Sequence, residues 1–313
     1  MSGGCRMREA VSPGQIAAAE AYEALFVEAL FRDWAPRVCD AAGIRPGQTV
    51  LDVACGTGVL AREAAARAGP SGGVAGLDAG SGMIAVARRI APAVDFRVGT
   101  AEALPWPDAS FDAVVSQFGL MFFADRTAAI REMWRVLRPG GRLAVAVWDR
   151  FENEPAYRAF VAVLDRIAGK PAGDALRLPF ALGDARKLAA LFAAAGIPGA
   201  AVTTTACLAR FPSVRTMVEA DLRGWLPLAG VPLEEETIAR VLAESETALA
   251  PWVSPDGRVA FDAGAHVVSA ARPRARPRGR RRRSAGASRA GASPSPRASR
   301  TDSGRRSRRL TRS

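Results

Sequence analysis

The stretch Val50-Leu-Asp-Val-Ala-Cys-Gly-Thr-Gly-Val-Leu60 decides how this chain folds. A hydrophobic strand, Thr49 to Val53, runs into small residues and then into a helix, Val59 to Ala68. Gly56 and Gly58 allow a sharp turn there and let a ligand approach the backbone with no Cβ in the way. The next apolar run, Gly73 to Asp78, is closed by Asp78, where a carboxylate can accept both hydroxyls of a ribose. Asp52 stands inside the first strand, a costly place for a carboxylate unless a partner or a ligand meets it.

Outward from this point, strands and helices alternate. Ser81 to Ile90 reads as a helix opened by Ser81, and Asp125 to Leu137 as another. Val94 to Val98, Phe111 to Ser116 and Arg142 to Trp148 read as strands, with Arg138-Pro-Gly-Gly141 as the turn that stops the second helix. Short apolar strands alternating with helices imply a parallel sheet covered on both faces. Upstream, Tyr22, Leu25, Phe26, Ala29, Leu30 and Trp34 recur at helical spacing, so residues 15 to 34 are expected to form one amphipathic helix. Pro36 suits the first turn of a second helix, which Gly43 closes. Downstream, 151–195 and 213–250 read as mostly helical. The strand candidates there are Ala201 to Arg210 and Arg258 to Ala270. The expected organisation is N-terminal helices over 1–42, an α/β domain over 43–270 with the helical insertions at about 151–195 and 213–250, and a tail over 271–313.

The formal charge of +12 suggests a nucleic-acid or membrane binder until it is located. Residues 271–313 contain sixteen Arg and one Asp, so the tail alone carries +15 and the rest is −3, from 27 basic and 30 acidic residues. The tail is Arg, Ser, Ala, Pro and Gly with Leu310 its only larger apolar residue, a composition expected to stay disordered. Cys5, Cys39, Cys55 and Cys207 are scattered without a CxxC pair, against a zinc site or a disulfide framework. No metal is expected. The start of the chain has no signal-like apolar run, and runs such as Leu143 to Trp148 fall far short of the ~20 residues of a membrane helix. A cytoplasmic, soluble protein is the expectation. Cys55 reads as a residue chosen for size beside the glycines, and His266 as a structural histidine.

As a bare pattern, Gly56-x-Gly58-x-x-Ala61 with Asp78 would also suit a dinucleotide, and an NAD-dependent oxidoreductase is one alternative. Asp52 argues against it, since it would repel a pyrophosphate and attract a cationic amino-acid headgroup. Three further segments lie in order: Gly99-Thr-Ala-Glu-Ala-Leu-Pro-Trp106, Ser110-Phe-Asp-Ala-Val-Val-Ser-Gln117 and Arg135-Val-Leu-Arg-Pro-Gly-Gly141. Together with residues 50–60 they resemble the class I S-adenosylmethionine-dependent methyltransferases of the ubiquinone/menaquinone-biosynthesis type, over roughly residues 15–270. The resemblance implies a doubly wound, Rossmann-like α/β sheet, mostly parallel with one antiparallel strand, and S-adenosyl-L-methionine as cofactor.

Carried over by position, the resemblance places Asp52, Ala54, Gly56, Thr57 and Gly58 around the methionine end of the cofactor. It puts Asp78 on the ribose, Met83 against the adenine, and Thr100, Ala101 and Glu102 beside the adenine ring. Ser116 lies near the sulfonium, with Gln117 and Phe118 toward the substrate. The family usually has Asp where this chain has Thr100, and a neutral hydroxyl is a poorer partner for the adenine amino group. Ala54 stands where a third glycine is common, a mild change. Tyr22 either packs the N-terminal helix or closes over the cofactor. The activity implied is methyl transfer to a small-molecule O, N or C nucleophile bound beneath a helical lid, with no catalytic base evident. A nucleic-acid-binding protein acting through its Arg-rich tail is a second alternative, with non-specific, salt-sensitive contacts. Against it, the chain reads Ser116-Gln-Phe-Gly119 where base methyltransferases of this fold carry an Asn/Asp-Pro-Pro-aromatic box, and the rest of the chain is acidic. The expected partner is thus a small-molecule acceptor, with no membrane.

Overall fold

The computed structural model describes residues 11–274, so the expected disordered tail lies, apart from its first four residues, outside the described residues. Seven strands form one sheet: β1 (Thr49–Val53), β2 (Gly73–Asp78), β3 (Asp95–Val98), β4 (Phe111–Gln117), β5 (Leu137–Trp148), β6 (Ala201–Phe211) and β7 (Val259–Ala271). Their order is β3-β2-β1-β4-β5-β7-β6. The pairs from β3 to β5 are parallel, and β7 runs antiparallel to both β5 and β6. One antiparallel strand in an otherwise parallel sheet is what the family resemblance implied. The order reverses between β1 and β4, and in open α/β sheets ligands bind at the carboxyl ends of strands beside such a switch point. Asp52 sits there, opposite Gly76 on β2 and Val115 on β4.

The first helix, α1 (Pro13–Tyr22), begins at a capping box. Ser12 Oγ accepts from the Gln15 amide, Gln15 Oε1 accepts from the Ser12 amide, and Pro13 fills the first turn. The chain then continues as a wide-turn π segment, Glu23–Phe31, in which the Arg32 amide donates to the Val27 carbonyl five residues back. Trp34 does not extend that helix, as its spacing suggested. It starts α2 (Trp34–Ala42), which Gly43 closes in the left-handed conformation. The helices α3 (Val59–Ala68), α4 (Ser81–Ile90) and α5 (Arg126–Val136) flank the parallel half of the sheet. Gly80, rather than Ser81, is the flanking residue of α4, and no side chain caps that helix. Asp125 caps α5 by accepting from the Ala128 amide.

Beyond β5 come α6 (Pro155–Ile167), α7 (Lys170–Arg177) and α8 (Ala185–Ala194). After β6 come α9 (Val214–Glu219), a second π segment (Ala220–Trp225), α10 (Leu226–Leu228) and α11 (Glu235–Ala248). Trp34, Phe160, Phe192 and Phe211 are fully buried and fill the space between sheet and helices. None of the helices among the described residues is long and apolar enough to cross a membrane.

Two boundaries differ from the sequence reading for one reason. The segment Arg138–Gly141 is no simple turn: β5 starts at Leu137 and carries an irregularity opposite Phe111 and Ala113. The fold does not end at Ala270 either. β7 reaches Ala271, the Arg272 amide donates to Gly141 and the Arg272 carbonyl accepts from Gly140. The Arg272 guanidinium donates to the carbonyls of Trp134 (2.9 Å), Arg135 (3.1 Å) and Leu137 at the end of α5. A cation on the last carbonyls of a helix is a favourable C-terminal cap. Arg272→Ala should therefore lower stability by about 2 kcal/mol, as expected when charged hydrogen bonds to part-buried carbonyls are lost. Thermal denaturation of the full chain checks this, and Arg272→Lys, which keeps the charge on a shorter side chain, should fall between.

Candidate active site

The loop after β1 is built from left-handed backbone. Ala54, Gly56 and Gly58 have φ of +59°, +53° and +91°. At Ala54 a side chain pays a local strain of ~1 kcal/mol that glycine would not. Its Cβ is accommodated because residue 119, across the loop, is glycine; a Cβ there would lie 2.4 Å from that of Ala54. The Ala54 substitution is thus tied to Gly119, a link no local pattern reveals. Phe118, also left-handed at φ +54°, ends β4 and turns its ring onto Trp148, with centroids 3.7 Å apart and planes within 7°.

Asp78 ties this loop to the one after β2. One oxygen accepts from the Gly56 amide and the other from the Gly80 amide, both at 2.8 Å. Each carboxylate oxygen keeps a further lone pair for a ligand hydroxyl. Burial raises the Asp78 carboxyl above its ordinary value despite both amides. Met83 lies alongside: its Cγ would be 3.2 Å from a Cβ on Gly80, as would Asp78 Oδ1.

Asp52 is in the opposite situation. It is 1% exposed, and neither oxygen has a hydrogen-bond partner among the described residues. Burial first, and then the charge of Asp78, push its carboxyl well above the usual range, with only the nearby Ala61 amide opposing. The buried hydroxyls of Thr57 and Ser116 are also unpartnered. A cluster of unmet polar atoms around a glycine loop marks a place for a polar ligand. Tyr22 covers the loop, its hydroxyl 3.7 Å from where a Cβ on Gly56 would be, and burial beside Asp78 pushes its phenol upward.

The other residues singled out in the sequence divide by their contacts. Thr100 is exposed and Ala101 is buried in the core. The Glu102 carboxylate accepts from the amides of Ala124 and Asp125, and so holds the approach to α5. Gln117 donates to the Phe31 carbonyl at 2.9 Å. The motif residue Arg135 is structural, donating to the carbonyls of Leu104 and Trp106 and to Asp108. His266 is engaged at both ring nitrogens, Nδ1 with Thr204 and Nε2 with the Gly183 carbonyl, beside Asp149. Burial raises the Cys55 thiol, which argues against a reactive thiolate.

Next to the glycine loop opens a cavity of about 360 Å³, within the range of small-molecule sites. Tyr22, Phe26, Phe118, Trp148, Tyr157 and Trp225 are among its walls. Of the two residues expected toward the substrate, Phe118 is among the lining residues and Gln117 is not. Both π segments contribute, which fits the concentration of such wide turns at functional sites. Two carboxyl groups that sequence patterns did not mark also line it. Burial pushes Glu154 up to about 7, the Gly264 amide opposing and Asp149 and Asp262 adding to the rise. Burial alone pushes Asp221 up to about 8. Neither stands in a motif, and only the folding of distant segments around one cavity exposes their role.

The Asp221 shift has a consequence for stability. Between the unfolded value near 4 and the folded value of about 8, the folded chain holds a proton that the unfolded chain has lost. Stability therefore falls as pH rises through that window. Asp221→Asn removes this loss, so the variant should be more stable than wild type by up to about 5 kcal/mol at pH 8.5, with the gap closing near pH 4. Denaturant melts across this range test it; a gap that did not change with pH would contradict it.

Comparison with known proteins agrees with this geometry. Residues 51–145 match a family described as a methyltransferase domain. The ubiquinone/menaquinone biosynthesis C-methyltransferase UbiE of Hahella chejuensis is 40% identical over 137 residues, covering 42% of this chain and 55% of that enzyme. The Escherichia coli protein of the same name is 38% identical over 156 residues, covering 47% of this chain and 62% of its own length. The chain thus spans little more than half the length of the curated relatives it matches. Among solved structures, YcgJ of Bacillus subtilis has the same fold, with a TM-score of 0.51 at 20% identity over 78% of this chain and 99% of that one. Residues 51–145 thus match a methyltransferase domain and are similar to the corresponding part of the ubiquinone/menaquinone biosynthesis C-methyltransferases.

Proposed function

We propose that this chain is an S-adenosylmethionine-dependent enzyme that methylates a small-molecule O, N or C nucleophile held in the aromatic-walled cavity. The observation that carries the proposal is Asp52: a buried carboxyl with two unpartnered oxygens, set at the glycine loop where the strand order reverses. A cationic amino group of a bound methionine moiety would meet that carboxyl, whereas a dinucleotide pyrophosphate would be repelled. This is why an NAD-dependent oxidoreductase is the weaker reading. The residues present fit the cofactor. Asp78 retains lone pairs for the ribose, Met83 lies beside it, and the Thr57 and Ser116 hydroxyls are unmet. Gly56 and Gly58 keep the loop open to close approach, and Thr100, Ala101 and Glu102 lie on the segment expected beside the adenine.

When bound, S-adenosylmethionine supplies a methyl group already activated by its sulfonium. The protein's share of the work is position and exclusion of water. Phe118 turns toward the cavity, Tyr22 covers the glycine loop, and the segments at about 151–195 and 213–250 supply further walls as a lid, with Phe26, Phe31 and Trp148 completing them. Alignment of an acceptor about 3–3.5 Å from the methyl carbon accounts for most of the acceleration. The relatives are named as C-methyltransferases, but the matched region 51–145 ends before most of the residues that wall the cavity, so that name does not carry the acceptor across. The Arg-rich tail offers only non-specific contacts to nucleic acid. A cytoplasmic setting, in keeping with free Cys39, Cys55 and Cys207, belongs to the same reading.

Asp52→Ala and Asp78→Ala should each weaken S-adenosylmethionine binding by about 1.5–3 kcal/mol, the loss of a charge-assisted hydrogen bond. Calorimetry with S-adenosylmethionine and S-adenosylhomocysteine measures it. Wild-type protein that bound NAD and neither of these ligands would overturn the proposal.

A further inference from the structure

The cavity holds two carboxyl groups that the cofactor loop does not explain, since neither residues 52–58 nor Asp78 line it. Asp221 lies on the π segment Ala220–Trp225, is 4% exposed, and makes no side-chain hydrogen bond among the described residues. Glu154, just before α6, is 1% exposed; its Oε1 accepts from the Gly264 amide at 2.7 Å while its Oε2 has no partner. The other charged groups of the wall are engaged. Arg223 is held by both oxygens of Glu235, and Glu219 is bonded to Arg215. What remains is a cavity lined with aromatic faces and two acids, with no cation of the protein offsetting them.

Burying an unpaired carboxyl is strongly unfavourable, and the raised values of both acids express that. Three acceptor classes respond differently. A carboxylate or phosphate would enter a desolvated site that offers it no unengaged cation among the described residues. A neutral alcohol, phenol or carbon acid would leave two acids uncompensated. An ammonium group would offset them, and aromatic faces attract it as well. We infer that the acceptor is an apolar, ring-bearing amine that enters as its ammonium ion, anchored by Asp221 and Glu154 and enclosed by the aromatic walls. One ammonium proton passes to a carboxylate of this pair, which frees the nitrogen lone pair. The nitrogen then bonds to the methyl carbon as the C–S bond breaks, its electrons remaining on sulfur. The positive charge lost by the sulfonium reappears on the new ammonium, beside the second carboxyl.

The inference rests on the methyltransferase reading, and the two fail separately: cofactor binding tests that reading, and ligand charge tests the inference. Three matched probes decide it on the full chain saturated with S-adenosylhomocysteine: 2-(1-naphthyl)ethylamine, 2-(1-naphthyl)ethanol and 1-naphthylacetate. Titration calorimetry should show the amine bound at least about tenfold more tightly than the alcohol, and the acid weakest. Asp221→Asn and Glu154→Gln should each erase most of the amine's advantage and leave the alcohol's affinity unchanged, with retained S-adenosylhomocysteine binding reporting the fold. Equal affinity for amine and alcohol in the wild type would overturn the inference with no variant needed. So would an amine preference that survives both substitutions.

Discussion

Four carboxyl groups, those of Asp52, Asp78, Glu154 and Asp221, are withdrawn from water around the cofactor loop and its neighbouring cavity, and burial raises the pKa of each. No lysine or arginine among the described residues pairs with any of them, although ion pairs are plentiful elsewhere, as at Arg135–Glu132 and Arg177–Asp165. Such an arrangement weakens the folded chain on its own, and most for the three that are nearly inaccessible. It becomes favourable when positively charged or hydroxyl-rich ligands supply the missing partners. The site is therefore a standing electrostatic deficit that ligands fill, held in place by the hydrophobic sheet behind it.

The rest of the structure maintains that deficit. Asp78 staples the loops after β1 and β2 through the Gly56 and Gly80 amides, fixing where a ligand would meet the unpartnered oxygens of Asp52. The strained backbone at Ala54 and Phe118 is stabilised by its surroundings, the first by the missing Cβ of Gly119 and the second by stacking on Trp148. Tyr22, Phe31, Phe118 and Trp148 form a continuous aromatic run from the glycine loop into the cavity. The N-terminal helix is thus joined to the wall of the acceptor site, and its π segment widens the turn that brings Phe26 and Phe31 there.

Much of the sheet was legible in the sequence because its signals are local. Thr49–Val53, Gly73–Asp78 and the helix Ser81–Ile90 fall where apolar runs and glycines placed them, since a buried parallel strand must read as a short apolar run. What escaped depended on contacts between distant residues. Arg272 looks like the first of many tail arginines, and only its hydrogen bonds to the carbonyls at the end of α5 make it part of the fold. Trp34 continues a helical spacing and yet begins a new helix, because the π segment changes the phase before it. Glu154 and Asp221 sit in unremarkable acidic and apolar surroundings along the chain. Their character comes from burial, which sequence spacing does not encode.

The central claim is that the buried, unpartnered Asp52 carboxyl, held above its usual range by burial, is met by a cationic group of the methyl donor. Calorimetric titration of S-adenosylmethionine in buffers of different ionisation enthalpy measures the protons exchanged on binding. A bound cation lowers a raised carboxyl pKa, so wherever the free carboxyl still holds its proton the wild-type protein releases protons on binding, affinity rises with pH, and Asp52→Asn loses most of that release. Binding with no proton release, or release undiminished in Asp52→Asn, would contradict the account.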